Sequence, residues 1–174
     1  SGPRRDLRSE GSPAADDRSR VALAGLQVRA STAPWTIVRA TAFVEMWADI
    51  LAQPMVFGRG DNPINFVSVH DVAEIVEIAV IDPNVRGQVI DVGGPDNLTF
   101  NQLAADLQRV TGRSRKVRHV PRWLLRTISP VARQPAAALV MDTMDLTFEP
   151  SPTALPALRL TDSRAALRMA MPAR

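Results

Sequence analysis

Reactive side chains are scarce in this chain of 174 residues. It has no cysteine and no tyrosine, and its only lysine is Lys116. Disulfides and thiolate chemistry are therefore excluded. The two histidines, His70 and His119, lie about fifty residues apart with no cysteine beside them, so they match no metal-ligand spacing and no metal is expected. His70 precedes Asp71, and such a pair acts as a general base when a nucleophile is within reach. None is suggested nearby. Ser68 and Asp71 instead have the spacing of a capping box, so Asp71 is expected to start a helix and His70 to be partly exposed. No catalytic residue is assigned.

Other side chains fit binding better than catalysis. Arg39 ends an apolar run and would stand at the C-terminal edge of a sheet, where ligands bind in open α/β folds. It fits an anion contact and a structural ion pair equally well. Phe43, Met46, Trp47 and Ile50 have helical spacing, which suits a core stripe or a pocket wall. Arg113, Arg115, Lys116 and Arg118, followed by Arg122 and Arg126, form the densest basic patch. Only Trp123 supplies an aromatic ring there, so a solvated face is expected and nucleic acid is not. Gly93-Gly94-Pro95 follows an apolar run, but its glycine spacing does not match a phosphate-binding turn. It reads as a strand-to-helix turn, and Gly58-Arg59-Gly60-Asp61-Asn62 reads as a loop between strands.

The elements that would hold these residues alternate. Residues 18–31 have rough helical spacing, with Asp16 or Asp17 as caps. Trp35 to Val38 reads as a buried strand, 41–53 as a helix, and Met55 to Phe57 as a short strand. Ile64 to Val69 is strand-like and leads into a helix over 72–80. Val89 to Val92 is a second continuous apolar strand. Thr99 caps a helix that presents Leu103, Leu107 and Val110 and closes at Gly112. A short strand over 117–120, a helix from Arg122 and an Ala-rich helix near 136–144 follow. Strand–helix alternation of this kind predicts a parallel sheet with crossovers. The strands Trp35–Val38 and Val89–Val92, predominantly apolar, are expected to lie side by side and parallel.

Composition bounds the rest. Hydrophobic residues make up 45% and charged residues 22%, as in an ordinary globular domain. The net charge of +3 demands no acidic partner. No apolar run approaches the ~20 residues of a membrane span, so no membrane contact is expected. The Ser-Gly-Pro-Arg-Arg start is not followed by the apolar core of a secretory signal, and a cytoplasmic location is expected. Residues 1–17 hold one large apolar side chain, Leu7, and are expected to be disordered. Residues 18–150 read as one folded unit and 151–174 as a loosely packed tail.

Three pieces occur in a fixed order: Pro34-Trp-Thr-Ile-Val-Arg39-Ala-Thr-Ala-Phe43, Ile64-Asn-Phe-Val-Ser-Val-His-Asp-Val-Ala73, and Gly87-Gln-Val-Ile-Asp-Val-Gly-Gly-Pro95. Together they resemble the C-terminal portion of atypical short-chain dehydrogenases, the branch holding NmrA-like proteins and NAD(P)-dependent epimerase/dehydratase relatives. The resemblance implies an α/β fold, a partial Rossmann-like parallel sheet with a small C-terminal substrate-side subdomain. It implies NAD or NADP as cofactor and a small organic molecule as substrate. It places Arg39, Ala40 and Thr41 beside the cofactor, and Phe43, Trp47, Phe57 and Asn65 at the substrate pocket.

The chain departs from the family's pattern in three respects. No glycine-rich strand–turn–helix is found. The tyrosine–lysine dyad of the family cannot exist here: Val21, Gly25 and Leu26 stand where many members keep a lysine or an acidic pair, with Arg20 the nearest cation. Ala40 replaces a proline that shapes the backbone beside the nicotinamide. The expectation is the substrate-binding half of an oxidoreductase or epimerase, not catalytic on its own, that pairs with itself or with a separate cofactor-binding chain. A non-enzymatic NmrA-like regulator or accessory subunit, and a truncated gene product, are the alternatives.

Overall fold

The computed structural model describes residues 13–53, 55–121, 123–124, 142, 144–149 and 159–171. The elements are α1 (Pro13–Arg29), β1 (Ile37–Ala40), β2 (Ala42–Phe43), α2 (Val44–Ala52), β3 (Met55–Phe57), β4 (Ile64–Val67), α3 (Val69–Ile81), a 3-10 turn (Pro83–Val85), β5 (Val89–Val92), β6 (Asp96–Leu98), α4 (Phe100–Thr111), β7 (Arg118–Val120) and α5 (Ser163–Ala170). The architecture is α/β, as the sequence implied.

β1 lies parallel to β5, Ile37 opposite Val89 and Ala40 opposite Val92. The expected pairing holds, with the first strand set two residues later. β4 is central to a second sheet, parallel to β2 and antiparallel to β6. β3 pairs with β7 in parallel. β4 is buried at all four positions, the polar Asn65 included, so it is covered on both faces, as parallel sheets require. The antiparallel β6 departs from the expected turn after Gly94. Asp96, Asn97 and Leu98 lack β-branched character, and their strand geometry comes from pairing with β4.

Two apolar clusters organise the molecule. One joins α2, α4 and α5 over β4 through Val44, Trp47, Phe66, Phe100, Leu103 and Leu167. The other joins α3 to the β1–β5 pair through Val67, Ile75, Val85, Ile90 and Val92. The buried face of α2 is Val44, Trp47, Ala48 and Leu51. The expected stripe is thus shifted: Phe43 sits in β2, and Met46 is 51% exposed. α4 begins and ends as predicted. Thr99 accepts from the Gln102 amide while the Gln102 side chain accepts from Thr99, and left-handed Gly112 closes the helix.

Two helices extend beyond the segments read as folded. α1 begins at Pro13, so residues 13–17 are helical. A proline suits a first helical turn because its missing N–H has no intrahelical partner there. Residues 1–12, and most of the helices expected from Arg122 and near 136–144, lie outside the described residues. The tail is not loose throughout. Asp162 caps α5 by accepting from the Ala165 amide at 2.9 Å. Ala166 and Leu167 are fully buried. Asp106 on α4, itself buried, takes Arg109 at 2.7 Å and Arg164 of α5 at 3.1 Å. If α5 is part of the core, Leu167→Ala costs about 2–5 kcal/mol in urea unfolding, the range for an emptied leucine site; an unchanged midpoint would show α5 to be detachable.

Candidate functional site

Arg39, Ala40 and Thr41 stand at the C-terminal end of β1, beside the end of β5. At the end of β1, Arg39 and Asp91 are cross-strand register partners. The guanidinium grips the carboxylate with two bonds, Nε to Oδ1 at 2.5 Å and Nη2 to Oδ2 at 2.6 Å. The pair is exposed, the two side chains at 63% and 44%. Of the two readings open for Arg39, the ion pair is the one formed. The hydrogen bond from Arg39 holds the Asp91 carboxyl below the ordinary aspartate range, and the same bond raises Arg39.

Ala40 is exposed and leads into Thr41, whose amide donates to the Val92 carbonyl at 2.9 Å. The Thr41 hydroxyl turns inward and donates to Asn65 Oδ1 at 2.9 Å. Asn65 is only 1% exposed. Its Oδ1 also accepts from the Gly94 amide at 2.8 Å, and its Nδ2 reaches the Gly94 carbonyl, the Asp96 carbonyl and Asn97 Oδ1 at 3.0, 3.3 and 3.0 Å. Both ends of the amide are engaged within the protein. Asn65, expected at a substrate pocket, is therefore a buried pin between strands.

Glu45, in the first turn of α2, crosses to the start of α3. Its carboxylate accepts from the Ser68 hydroxyl at 2.8 Å and from the Val69 amide at 3.1 Å. Ser68 caps the helix by accepting from the His70 amide at 3.2 Å. A carboxylate there also complements the positive end of the helix dipole. The expected capping box does not form. Asp71 is buried and turns away from its own helix start, accepting from the amide of Thr161 at 2.8 Å and its hydroxyl at 2.6 Å. His70 is exposed, and its neighbour is committed elsewhere. His119 meets Asn101 Oδ1 at 2.9 Å.

The expected pocket wall divides between the two cores. Phe43 is half-buried against the β1–β5 cluster. Trp47 lies in the other cluster, its ring 4.6 Å from Phe100, with its buried Nε1 lacking a hydrogen-bond partner. Phe57 is half-buried on β3. A depression of about 60 Å³, between Leu51, Leu107, Thr111, Arg113, Arg115 and Met171, includes none of these residues. It has room for about two waters.

A dinucleotide needs a glycine turn whose amides face the pyrophosphate. A Cβ at Gly94 would sit 1.9 Å from the Phe66 carbonyl oxygen, so this glycine exists to let two strands meet. At Gly60, with φ of 69°, a Cβ would meet Val56 and Asn101. That loop is already filled: the Asn101 amide donates to the Arg59 carbonyl and to Asp61. Among the described residues, neither glycine turn fits a pyrophosphate. Among them, too, no cluster of three metal-ligating side chains occurs, and no helix is long and apolar enough to cross a membrane.

No protein-family model matches the chain. A UDP-N-acetyl-alpha-D-glucosaminuronate decarboxylase of Bacillus cytotoxicus is 34% identical over 67 residues, 38% of this chain and 21% of the relative. A (4-alkanoyl-5-oxo-2,5-dihydrofuran-3-yl)methyl phosphate reductase of Streptomyces griseus is 34% identical over 91 residues, 49% of this chain and 32% of the relative. The chain thus spans between a fifth and a third of these relatives. Among solved structures, isoflavone reductase superposes with a TM-score of 0.70 at 18% identity, over 91% of this chain and 60% of that one. The pinoresinol-lariciresinol and phenylcoumaran benzylic ether reductases reach 0.70 at 15% identity, over 95% and 62%. The chain shares the fold of these reductases over the part that superposes. The same Rossmann-like fold extends, at a TM-score of 0.53 and 15% identity, to a UDP-glucuronic acid 4-epimerase from Bacillus cereus solved with NAD, over 86% of this chain and 47% of that one. The resemblance read from the three sequence pieces holds, and those pieces supply β1, β4 with the start of α3, and β5.

The Arg39–Asp91 pair gives a pH signature. A carboxyl whose folded value is depressed adds stability above its unfolded value, near 3.9, and that contribution is lost as pH falls through the folded value. In an NMR titration Asp91 should protonate at lower pH than an ordinary aspartate and return toward the ordinary value in Arg39→Gln. Titration unchanged by that substitution would contradict the pairing.

Proposed function

We propose that this chain forms the substrate side of an NAD(P)-dependent oxidoreductase or epimerase acting on a small organic molecule, and that it is not catalytic on its own. One observation carries the reading. The parallel β1–β5 pair ends in the Arg39, Ala40, Thr41 and Gly93 edge, the place where open α/β folds hold ligands. The likeness to reductases and to an NAD-bound epimerase supports the class of reaction. The packing of Gly94 and Gly60 supports a dinucleotide held by residues other than those described here.

The same reading supplies a partner. Among the described residues β1 pairs on one side only, with β5. A free strand edge is a template for another strand. A cofactor-binding unit would add a strand there and bring its dinucleotide to Ala40 and Thr41. A non-catalytic binding role is the second reading. It is favoured by the Arg39–Asp91, Asp71–Thr161 and Asn65 bonds, which engage the polar groups near the strand ends within the protein.

Calorimetric titration of the chain with NAD+, NADH, NADP+ and NADPH tests the proposal. Weak or absent binding is expected. A dissociation constant in the low micromolar range would overturn the claim that the dinucleotide site lies elsewhere.

A further inference from the structure

The basic run that follows α4 takes no part in the site described above, and two of its arginines border the depression of about 60 Å³. That depression lies where three helices end. Leu51 reaches it from α2, Leu107 and Thr111 from α4, and Met171 from the cap of α5, while Arg113 and Arg115 reach it from the loop after α4. Leu51 and Leu107 are buried and Met171 is half-buried, so the lining away from the arginines is largely carbon.

The other polar groups of the lining are already engaged. The Thr111 hydroxyl donates to the Leu107 carbonyl at 2.8 Å, and Gln108 Nε2 donates to the Arg115 carbonyl at 2.7 Å. The Arg113 amide donates to the Gln108 carbonyl at 3.1 Å. These bonds tie the loop that carries both arginines to the last turn of α4. The two guanidiniums are different. Arg39, Arg109 and Arg164 are held by aspartates, whereas Arg113 and Arg115 are exposed and have no ion pair among the described residues. Of the acidic side chains on α2, α4 and α5 nearest in the chain, Asp106 is taken by Arg109 and Arg164, and Asp49 is exposed.

The three helix ends carry partial negative charge and oppose an anion. In α4 the amides of Gly112 and Arg113 and the Thr111 hydroxyl already answer the last carbonyls, so neither guanidinium is spent on them. Both arginines are needed to outweigh what remains. We infer that this depression binds a small organic carboxylate, with its head on Arg113 and Arg115 and its apolar tail against Leu51, Leu107 and Met171. The planar guanidinium fork matches a carboxylate. Room for about two waters limits the tail to about two methyl-sized groups, the size of isobutyrate. The inference does not depend on the proposed reaction or on the strand-end face.

An NMR titration of the full chain with sodium isobutyrate, at constant ionic strength, tests it. Saturable shifts are expected at the Leu51, Leu107 and Met171 methyls and at the Arg113 and Arg115 amides, with a dissociation constant in the millimolar range. Arg113→Gln and Arg115→Gln should each weaken binding by about tenfold, the loss of a charged hydrogen bond, and leave the rest of the spectrum in place. Two further arms use the unaltered chain. Isobutyramide has the same shape without the charge and should shift none of these resonances. Formate has the head without the tail and should bind about tenfold more weakly, the loss of two buried carbon groups. Shifts that do not saturate, equal shifts with isobutyramide or formate, or arginine variants that bind as wild type does would each overturn the inference.

Discussion

The fold turns on one buried amide. Asn65 sits on the central strand β4 and bonds the loop after β1, the Gly94 peptide after β5, and β6. These belong to two different sheets, so the side chain is the polar joint between them. In an apolar interior an amide left without partners costs stability, and a fully engaged one fixes a single geometry. Gly94 is the counterpart of that joint. Any side chain there would collide with the Phe66 carbonyl and push the strands apart.

That joint sets the character of the strand-end face. Thr41 turns inward to Asn65, so the surface beside β1 is left to Ala40 and to the exposed Arg39–Asp91 pair. Glu45 ties the start of α2 to the start of α3, which holds the β4–α3 turn in register with β2. The edge is therefore a rigid platform whose polar groups satisfy one another.

Much of this was legible because local chemistry and global fold agree. The apolar runs at Val89 to Val92 and Trp35 to Val38 announced a parallel strand pair, although Arg39, Ala40 and Asp91 leave it open to solvent on one side, and Thr99 with Gly112 bounded α4. Three features were not legible. β6 is made a strand by β4 and by the Asn65 amide, and nothing local in Asp-Asn-Leu demands it. Asp71 has the spacing of a cap, but its bonds go to Thr161, ninety positions further along the chain. Asn65 itself reads as a polar residue near a ligand edge, and only the tertiary arrangement shows its amide consumed. α5 did leave a signal: Asp162 three residues before Ala165 is a helix start, masked in the reading by the prolines upstream.

The central claim is that the Asn65–Gly94 joint holds the strand-end platform together. Amide hydrogen exchange of Gly94, followed by NMR on the folded chain, tests it most directly. Its N–H is buried and donates to Asn65 Oδ1 at 2.8 Å, so it should exchange only with global unfolding, as slowly as the amides of β4. Exchange at the rate of an unstructured peptide, with β4 still protected, would contradict the account.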